Sequence, residues 1–394
     1  MNILFIPSWW PTKSSPSAGI FFKEQIERLA ELYPQHQFVV LYWGSPHLEL
    51  KPGHIWQTIK NFFSFDTLPL KPKSLTNLRF ISTPLITLPR KLFGVPHQAW
   101  ALEKRIRHRV PDIKFDLIHA MVGHPAGIIA RSFAHKWKIP YLITEVMGPF
   151  PFPHLREADG TIWPPLLEAY RDAAVTISDG QAKLKQMQAE GIGKTRYLPN
   201  FINEDFFQIV PTVPYTKFRF FTLSGFVEGK GLDVLLRAIA ALSRREEFQF
   251  VIGGAGPLGG SLKEMARDLK IDHLIEWKGH LDRKQALKEF QSSDAFVLPS
   301  RFESFGIVYV ESLFCGKPIV ATRCGGPEEF VNETTGLLCD VDSGGQIAAA
   351  MALLKANSSQ YDAQRIRDWA FERYSSKKVC GQLIECYLDL KVQS

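Results

Sequence analysis

Two glutamates that bracket an otherwise apolar segment are the first residues in this sequence with a spacing suited to chemistry. The stretch ESFGIVYVE begins at Glu303 and ends at Glu311, and its other side chains are mainly aliphatic and aromatic. A carboxylate accepts paired hydrogen bonds from vicinal hydroxyls, as the acidic residue of dinucleotide-binding folds does with ribose. The spacing therefore predicts contacts with a polyhydroxylated ligand. The alternative is one glutamate favoured by a helix dipole and a second, unrelated surface glutamate.

The predicted strand and helix around ESFGIVYVE allow the distance between the helix start and Glu311 to be estimated. A strand is predicted to end at LPS, and Gly306 opens a predicted helix that ends at Gly316. Backbone N–H groups at such a helix start bind anions, and four residues supply them: Ser304, Phe305, Gly306 and Ile307. Glu311 lies about 7 Å further along the axis, at 1.5 Å per residue. This matches the reach from a pyrophosphate to ribose hydroxyls. The segment therefore predicts a nucleotide-sugar, with Glu303 facing the sugar.

Glycines follow predicted strands at three other places where a phosphate-binding loop would lie. Gly19 precedes a helix after the first strand, Lys230 stands between two glycines in VEGKGLDVLL, and Gly256 and Pro257 belong to GGAGPLGG. Glycine-rich turns at strand ends are common in α/β proteins, so each loop alone is weak evidence. Lys230 is more informative, because a lone cation on an exposed loop suits a phosphate.

Short apolar runs alternate with helix-length amphipathic segments along almost the whole chain of 394 residues. This rhythm predicts parallel sheets with helices on both faces. A proline-rich, aperiodic segment at 199–218 is the candidate linker. The predicted architecture is α/β, with two Rossmann-like doubly wound domains facing a central cleft: an N-terminal domain over 1–205, a C-terminal domain over 206–375, and a tail helix over 376–394. Ligands bind outside the carboxyl ends of the strands in such folds.

Positive charge is concentrated in one stretch of the first half. Residues 51–110 contain 11 Lys and Arg against two acidic residues, and they also contain seven aromatics: Trp56, Phe62, Phe63, Phe65, Phe80, Phe93 and Trp100. Basic residues mixed with aromatics suit an anionic membrane surface, although a solvated basic face over a packed core fits equally well. Nucleic acid is the third reading, but no recognised nucleic-acid motif accompanies the patch.

The N-terminal residues, the lengths of the apolar runs and the cysteines all give information on the cellular location of the protein. The start, MNILFIPSWWP, lacks a basic n-region and predicts a strand over 3–6 rather than a signal peptide. No run of eighteen apolar residues occurs, which argues against a transmembrane helix. All five cysteines lie in the last eighty residues without metal-type spacing. We expect free thiols and a cytoplasmic protein, peripheral on the inner face of the membrane if the basic stretch binds lipid.

A series of motifs resembles the retaining glycosyltransferases of family 4 (glycosyl transferases group 1), which have the GT-B fold. The matching pieces run in family order across nearly the whole chain: AG at Gly19, IHAM at His119, ITEVMGPF at Glu145, PNFIN at Asn200, EGKGLDVLL at Lys230, GGAGPL at Gly256, PSRFESFGIVYVES, GKPIVAT, and GGPEEFV at Glu329. The ESFGIVYVE core with its flanks is the most specific of them.

The resemblance implies roles for individual residues. Gly19 is similar to the loop glycine that lets backbone approach the donor phosphate, and Lys230 to the lysine that holds the diphosphate and stabilises the departing charge. Glu303 resembles the glutamate near the transferred sugar, and Glu311 the one that binds ribose. Gly256 and Pro257 belong to the donor side, and family members need no metal or other cofactor for the transfer.

Two positions depart from the family pattern. Many members have an arginine six residues before the lysine, where this chain has Gly225; Arg301 or Arg323 would have to substitute. Many bacterial members read T-E-H where this chain reads Thr144-Glu145-Val146. His119 or His124 would then fill the sugar or acceptor side together with Glu145, although a lone histidine there is often a structural residue.

These observations predict a glycosyltransferase that moves a sugar from a nucleoside diphosphate sugar to a hydroxyl of a glycolipid or lipid-linked glycan in envelope polysaccharide biosynthesis. The alternatives are a non-catalytic sugar-nucleotide-binding scaffold subunit, favoured by Gly225 and Val146, and an epimerase or phosphorylase of similar fold. A basic nucleic-acid-binding protein is the remaining alternative. The sequence leaves the donor base, the donor sugar and the acceptor open.

Overall fold

The computed structural model describes residues 1–13, 15, 18–44, 48–50, 53–67, 75–87, 95–211 and 216–392. The chain divides into two units, each of which is described by itself below. The first consists of Met1–Asp179, Lys183–Leu198 and Cys380–Ser394, and the second of Gly180–Ala182 and Pro199–Val379.

The first unit contains a parallel sheet of seven strands in the order β3-β2-β1-β4-β5-β6-β7. The strands are β1 (Asn2–Pro7), β2 (Gln37–Tyr42), β3 (Leu78–Ser82), β4 (Leu117–Met121), β5 (Tyr141–Glu145), β6 (Val175–Ser178) and β7 (Thr195–Tyr197). The helices are α1 (Ile20–Leu32), α2 (Ile55–Phe63), α3 (Pro96–Arg109), α4 (Ile128–Trp137), α5 (Pro164–Asp172) and α6 (Gln181–Ala189). Strand order reverses between β1 and β4, which makes the carboxyl ends of these two strands the expected ligand edge.

The second unit repeats the same plan with six parallel strands in the order β10-β9-β8-β11-β12-β13. They are β8 (Phe218–Leu223), β9 (Phe248–Gly253), β10 (Ile275–Gly279), β11 (Ala295–Leu298), β12 (Ile319–Thr322) and β13 (Gly336–Cys339). The helices are α7 (Leu232–Ala241), α8 (Gly259–Asp268), α9 (Arg283–Ser292), α10 (Ile307–Phe314), α11 (Gly344–Ala356) and α12 (Ala363–Tyr374). A last helix, α13 (Ser376–Val392), follows. Here the order reverses between β8 and β11.

The strands form where the sequence has unbroken apolar runs, because parallel strands with helices on both faces bury both sides. Ile3 to Ile6 of β1 are fully buried, as are Ala295 to Leu298 of β11. Helix ends are marked by glycines with positive φ, such as Gly19 before α1 and Gly306 before α10. The predicted doubly wound architecture of both halves is confirmed.

One detail of the predicted organisation differs from the structure. The described part of the segment 199–218, predicted as a linker, packs into the second unit: Phe207 is buried in its core, and the N–H of Ile202 donates to the carbonyl of Tyr374 at 2.8 Å. In the range predicted for the tail helix the structure has one helix, α13, which Ser375 with its extended backbone separates from α12. Within the described residues, no helix is both long and apolar enough to span a membrane.

Candidate functional site

The carboxyl ends of β8 and β11 in the second unit bring together a cation and a carboxylate from distant parts of the sequence. Lys230 lies on a 3₁₀ turn after β8, and Glu303 lies in the loop after β11. The Nζ atom of Lys230 is 2.7 Å from Oε1 of Glu303. The side chain of Lys230 is 29% exposed and that of Glu303 is 9% exposed. The lysine therefore reaches solvent while the glutamate beneath it does not.

Glu303 is held by the protein through its backbone and through one carboxylate oxygen, Oε1. Its Oε1 also accepts a hydrogen bond of 2.7 Å from the Oγ of Ser300, its N–H donates to the carbonyl of Cys324 at 3.0 Å, and its carbonyl accepts from the N–H of Gly326 at 3.0 Å. The hydroxyl of Thr322 donates to the carbonyl of Ser300. The carboxylate is consequently preorganised rather than free to rotate, as an electrostatic site requires.

The turn that carries Lys230 is fastened to the loop that carries Glu303. The N–H of Arg301 donates to the carbonyl of Gly229 at 2.8 Å. Gly231 has φ +63°, and a Cβ there would lie 2.0 Å from the carbonyl oxygen of Pro299. A side chain at position 231 would push the two loops apart, so this glycine sets the approach of Lys230 to Glu303.

The start of α10 presents the predicted row of backbone groups. Gly306 is the N-cap with φ +88°, and a Cβ on it would meet the ring of Tyr309 at 2.7 Å. Phe305 is buried and anchors the turn, whereas Ser304 and Ile307 are partly exposed. The Oγ of Ser304 is buried and has no hydrogen-bond partner among the described residues. The first N–H groups of a helix lack intrahelical acceptors, so this turn has the donors that an anion needs.

Glu311 lies one turn into α10 and is partly exposed. Burial raises the pKa of Cys315, four residues further along the helix, to about 12, and Glu311 contributes to the shift.

Gly256 and Pro257 are exposed in the loop after β9. That loop is joined to the turn after β8, because the N–H of Phe226 donates to the carbonyl of Ala255 at 2.9 Å. The predicted donor-side residues of the second unit therefore share one edge of its sheet.

The cation expected from family likeness is not supplied by Arg301. Its guanidinium makes two hydrogen bonds of 3.0 Å to Asp233 and a third of 2.7 Å to Asp342. This fork is already fully engaged and braces the loop instead. Arg323 is half-exposed, with Asp340 at 3.6 Å. Gly225 is exposed, and a Cβ there would meet nothing within 4 Å.

In the first unit, Gly19 opens α1 after β1 with φ +69°. A Cβ at this position would lie 2.7 Å from the ring and 2.9 Å from the carbonyl oxygen of Trp9. Only glycine therefore fits the turn, which agrees with a loop that lets backbone approach a ligand.

His119 does not fit the role of a ligand contact, because it is fully buried on β4. Its Nδ1 is hydrogen-bonded to the hydroxyl of Tyr387 at 2.6 Å and its Nε2 to the hydroxyl of Thr144 at 2.7 Å. Burial lowers the pKa of this imidazole from 6.5 to about 3. His119 is thus a neutral structural group that joins β4 to β5 and α13.

Glu145 is likewise fully buried at the end of β5, which places it out of reach of a substrate. Its carboxylate accepts hydrogen bonds from the protein itself: from the N–H of Gly123, the N–H of Met147 and the hydroxyl of Tyr170. His124, by contrast, is partly exposed in the loop after β4. Its ring packs edge-on against Trp163, with centroids 5.9 Å apart.

Three features of these sites were outside the sequence prediction. They are the hydroxyl of Ser300 on Glu303, the Arg301–Asp233 fork, and the Tyr170 hydroxyl on Glu145. The sequence did contain a signal for Ser300, because this residue lies at the end of a predicted strand, where ligand-binding residues of such folds occur. Asp233 and Tyr170 had none, because their partners are 68 and 25 residues away.

Comparison with known proteins gives a family for part of the chain. Residues 204–369 match the family described as glycosyl transferases group 1, which confirms the resemblance predicted from the motifs. A D-inositol 3-phosphate glycosyltransferase from Arthrobacter sp. (strain FB24) is 29% identical over 66% of this chain and 67% of its own length. A GDP-mannose-dependent alpha-(1-6)-phosphatidylinositol monomannoside mannosyltransferase from Mycolicibacterium smegmatis is 32% identical over 41% and 46%.

Solved structures agree with the predicted fold. Sucrose-phosphate synthase from Thermosynechococcus elongatus superposes with a TM-score of 0.75 at 17% identity, over the full length of both chains. HepE of Anabaena, in complex with UDP and glucose, gives a TM-score of 0.68 at 17% identity over 99% of this chain and all of that one. The fold is GT-B, as predicted.

Proposed function

We propose that this chain, whose residues 204–369 match the glycosyl transferases group 1 family, is a retaining glycosyltransferase that uses a nucleoside diphosphate sugar. The observation that carries the proposal is the Lys230–Glu303 pair at the strand-order reversal of the second unit, beside the N-terminus of α10. Ligands of doubly wound folds bind at this point. A cation and a helix start placed together suit a diphosphate.

The residues suggest how the diphosphate would leave. Lys230, whose side chain is 29% exposed, would bind the diphosphate, while the N–H groups of 304–307 would donate hydrogen bonds to its phosphate oxygens. Glu311 would bind the ribose hydroxyls. Electrostatic stabilisation of a departing charge by fixed donors is commonly the largest catalytic contribution in such sites.

Glu303 would face the sugar with its remaining carboxylate oxygen, because Oε1 is taken by Lys230 and Ser300. We infer no covalent intermediate on the protein. The acceptor hydroxyl would attack the anomeric carbon on the face that the diphosphate leaves. The departing diphosphate oxygen would take the acceptor proton, so the C–O bond to the acceptor forms as the bond to the diphosphate breaks. No metal ion is assigned to this step.

We propose a glycolipid or lipid-linked glycan as acceptor, in cell-envelope polysaccharide biosynthesis. The M. smegmatis relative is named for a phosphatidylinositol monomannoside, a lipid acceptor, and a structural neighbour is a lipopolysaccharide outer core galactosyltransferase. These names belong to those proteins. For this chain they support an acceptor that is itself carried by a membrane.

Helix α2 supports a peripheral contact with an anionic membrane. Trp56 is 83% exposed, Phe63 is 84% exposed and Ile55 is 53% exposed. The side chain that α2 buries is polar: Thr58 donates to the carbonyl of Glu49 at 3.1 Å. A helix that presents large apolar side chains to solvent within a basic stretch suits a lipid interface. Helix α3 has the same combination of an exposed aromatic side chain and a positive charge: Trp100 is exposed, and the ammonium of Lys104 lies 4.0 Å from the centre of its ring.

The deciding experiment is incubation of the protein with a panel of nucleoside diphosphate sugars and a membrane lipid extract, with radiolabel transfer followed. Transfer that survives a metal chelator and gives an α-linked product from an α-linked donor supports each part of the proposal. A folded sample that transfers nothing and releases no nucleoside diphosphate from any donor would overturn it.

A non-catalytic subunit that binds a sugar nucleotide is the second candidate. Gly225, at the position of the usual arginine, favours it, and the engagement of Arg301 by Asp233 removes one substitute for that cation. Binding of a nucleotide sugar by calorimetry, without release of diphosphate in the presence of any acceptor, is the outcome expected for this candidate.

A further inference from the structure

The buried carboxylate of Glu145 ties together two loops at the carboxyl edge of the first sheet. Its Oε2 accepts hydrogen bonds from the N–H of Gly123 at 3.0 Å and from the hydroxyl of Tyr170 at 2.6 Å. Its Oε1 accepts from the N–H of Met147 at 2.8 Å. Burial, with Glu145 adjacent, raises the pKa of Tyr170 well above its usual value, so the phenol keeps its proton and donates. A buried carboxylate destabilises the folded protein unless it is satisfied in this way.

The loop that Glu145 holds, residues 122–127, has a conformation that other residues must impose. Val122 has φ +77°, which a β-branched residue avoids. A Cβ on Gly123 would lie 2.2 Å from the hydroxyl oxygen of Tyr170. At the other end of the loop, the N–H of Ala126 donates to the Oγ of Ser8 at 3.2 Å. Strain of this kind persists only where the surroundings over-determine it, and it concentrates at functional positions.

The loop exposes a single side chain. Residues 121–123 and 125–130 are all buried, and His124 alone is partly exposed. The loop follows β4, directly at the reversal of strand order in the first sheet. The structure thus uses a buried carboxylate and a strained backbone to hold one imidazole at the edge where doubly wound units bind ligands.

We infer that Glu145 is a positioning residue for the transfer reaction. Its carboxylate fixes loop 122–127 and thereby the imidazole of His124, which contacts the acceptor or the transferred sugar. This inference rests on the proposed function. Glu145 itself touches no substrate, because both of its oxygens are buried and engaged.

The buried ion pair of Lys183 and Asp179 holds the main chain of Glu145. The ammonium of Lys183 lies 2.6 Å from Oδ1 of Asp179 and donates to the carbonyl of Glu145 at 3.2 Å. Both partners are less than 5% exposed. The main chain and the side chain of Glu145 are therefore fixed independently, and removing the carboxylate should release the loop while leaving the end of β5 in place.

The first experiment compares Glu145→Gln with a matched control in the same unit. A glutamine side chain has one acceptor oxygen and an NH₂ group that donates. The backbone N–H of Gly123 or that of Met147 would then face this NH₂ group instead of an acceptor. We expect kcat to fall by about 10–100-fold, as misplacement of a catalytic contact does, with donor KM changed less than about threefold. Glu103→Gln removes an equally buried carboxylate, held by Lys136, Arg107 and Trp137. It should lower Tm to a similar extent with kcat unchanged.

The second experiment asks whether Glu145 acts through His124. In a double-mutant cycle, Glu145→Gln added to His124→Ala should slow transfer no further than His124→Ala alone. Additive losses, or equal losses of kcat in Glu145→Gln and Glu103→Gln, would show a general structural role and overturn the inference. Tyr170→Phe removes only one of the three hydrogen bonds and serves if Glu145→Gln does not fold. It should lower kcat by a smaller factor, again only when His124 is present.

A third measurement is independent of turnover. The imidazole resonances of His124, assigned by their loss in His124→Ala, should shift or broaden in Glu145→Gln and not in Glu103→Gln. Unchanged His124 resonances in Glu145→Gln would contradict the inference even if activity fell. If the unmodified protein transfers no sugar at all, the proposed function fails, while this readout still tests the link between Glu145 and His124.

Discussion

The ammonium of Lys230 and the carboxylate of Glu303 form a 2.7 Å ion pair across 73 residues of sequence. Lys230 is the more exposed partner, and Ser300 holds the same carboxylate oxygen of Glu303 from the other side of the pair. In the proposed function, a diphosphate would contact Lys230 while Glu303 stays bound to Ser300. The glutamate would then share the positive charge of the lysine with the donor, so we expect donor binding to change when either side chain is altered.

Lys230→Gln should lower kcat by about 10²–10³-fold, the usual effect of removing one stabilising donor from a preorganised site. The amide can still donate to Glu303, so the fold of the loop should survive. Steady-state kinetics with the best donor from the panel measures the effect. Lys284→Gln on α9 changes the same exposed residue type away from the site and should leave kcat unaltered. Equal rates in the two variants would remove Lys230 from the mechanism.

Glu311→Ala should weaken nucleoside diphosphate binding by about 10–100-fold, because a lost hydrogen bond to a charged group is worth about 1.5–3 kcal/mol and about 1.4 kcal/mol is a factor of ten. The donor KM should rise by a similar factor with little change in kcat. Calorimetric titration of the nucleoside diphosphates compares it with Glu264→Ala on the exposed side of α8. If affinity is the same in both variants, the assignment of Glu311 to ribose is wrong.

Gly225→Arg tests whether this chain lacks a second cation at the diphosphate. A Cβ at position 225 meets no atom within 4 Å, so the backbone can accept the side chain. We expect donor KM to fall severalfold, as an added arginine contacts phosphate oxygens. Gly193→Arg adds the same charge in the first unit, outside the predicted donor loops, where a Cβ also has open space. Equal changes in both would indicate a nonspecific effect of net charge.

His119 should make the folded state sensitive to acid. Its pKa is about 3 in the folded protein against 6.5 ordinarily, so between these values the unfolded chain binds more protons. Stability is therefore complete above about pH 6.5 and falls as pH is lowered, by at most about 1.4 kcal/mol per pH unit. The urea concentration at the unfolding midpoint should fall from pH 7 through pH 6 to pH 5, and it should fall less steeply for His119→Gln than for the unmodified chain. Parallel pH profiles would contradict the burial of a neutral imidazole.

The paired change Trp56→Ser and Phe63→Ser should reduce co-sedimentation with vesicles that contain anionic lipid by about tenfold, since both side chains are more than 80% exposed. Added salt should weaken binding of the unmodified protein, because the basic stretch acts through screened charges. Leu353→Ser with Phe371→Ser removes two exposed apolar side chains from the second unit and serves as the control. Binding that ignores both salt and lipid charge would refute the membrane contact.

The sequence predicted the doubly wound plan and the helix start at ESFGIVYVE well, because both leave local signals. Parallel strands show as apolar runs, and the start of α10 shows as a glycine between a strand end and an amphipathic stretch. The helix was predicted to open at Gly306 and it begins at Ile307. The strand order and the contact of Lys230 with Glu303 were not predicted, because both depend on how segments 73 or more residues apart pair in the sheet.

The first-unit residues were predicted less well, because burial of a polar side chain leaves little local trace. His119 and Glu145 had the residue types of a substrate site, yet both are fully buried. Their partners Tyr387 and Tyr170 are 268 and 25 residues away. A single sequence cannot distinguish a histidine that faces solvent from one that faces a distant phenol.

The Tyr387–His119 contact also bears on how the chain matures during synthesis. Residues 380–392 complete the first unit, but the whole of 199–379 is translated between them and β7. Domains usually fold in order as they leave the ribosome. Here the imidazole of His119 lacks one of its two hydrogen bonds until α13 has been synthesised, after the whole of the second unit. The first unit is thus completed only by residues that are made after the second.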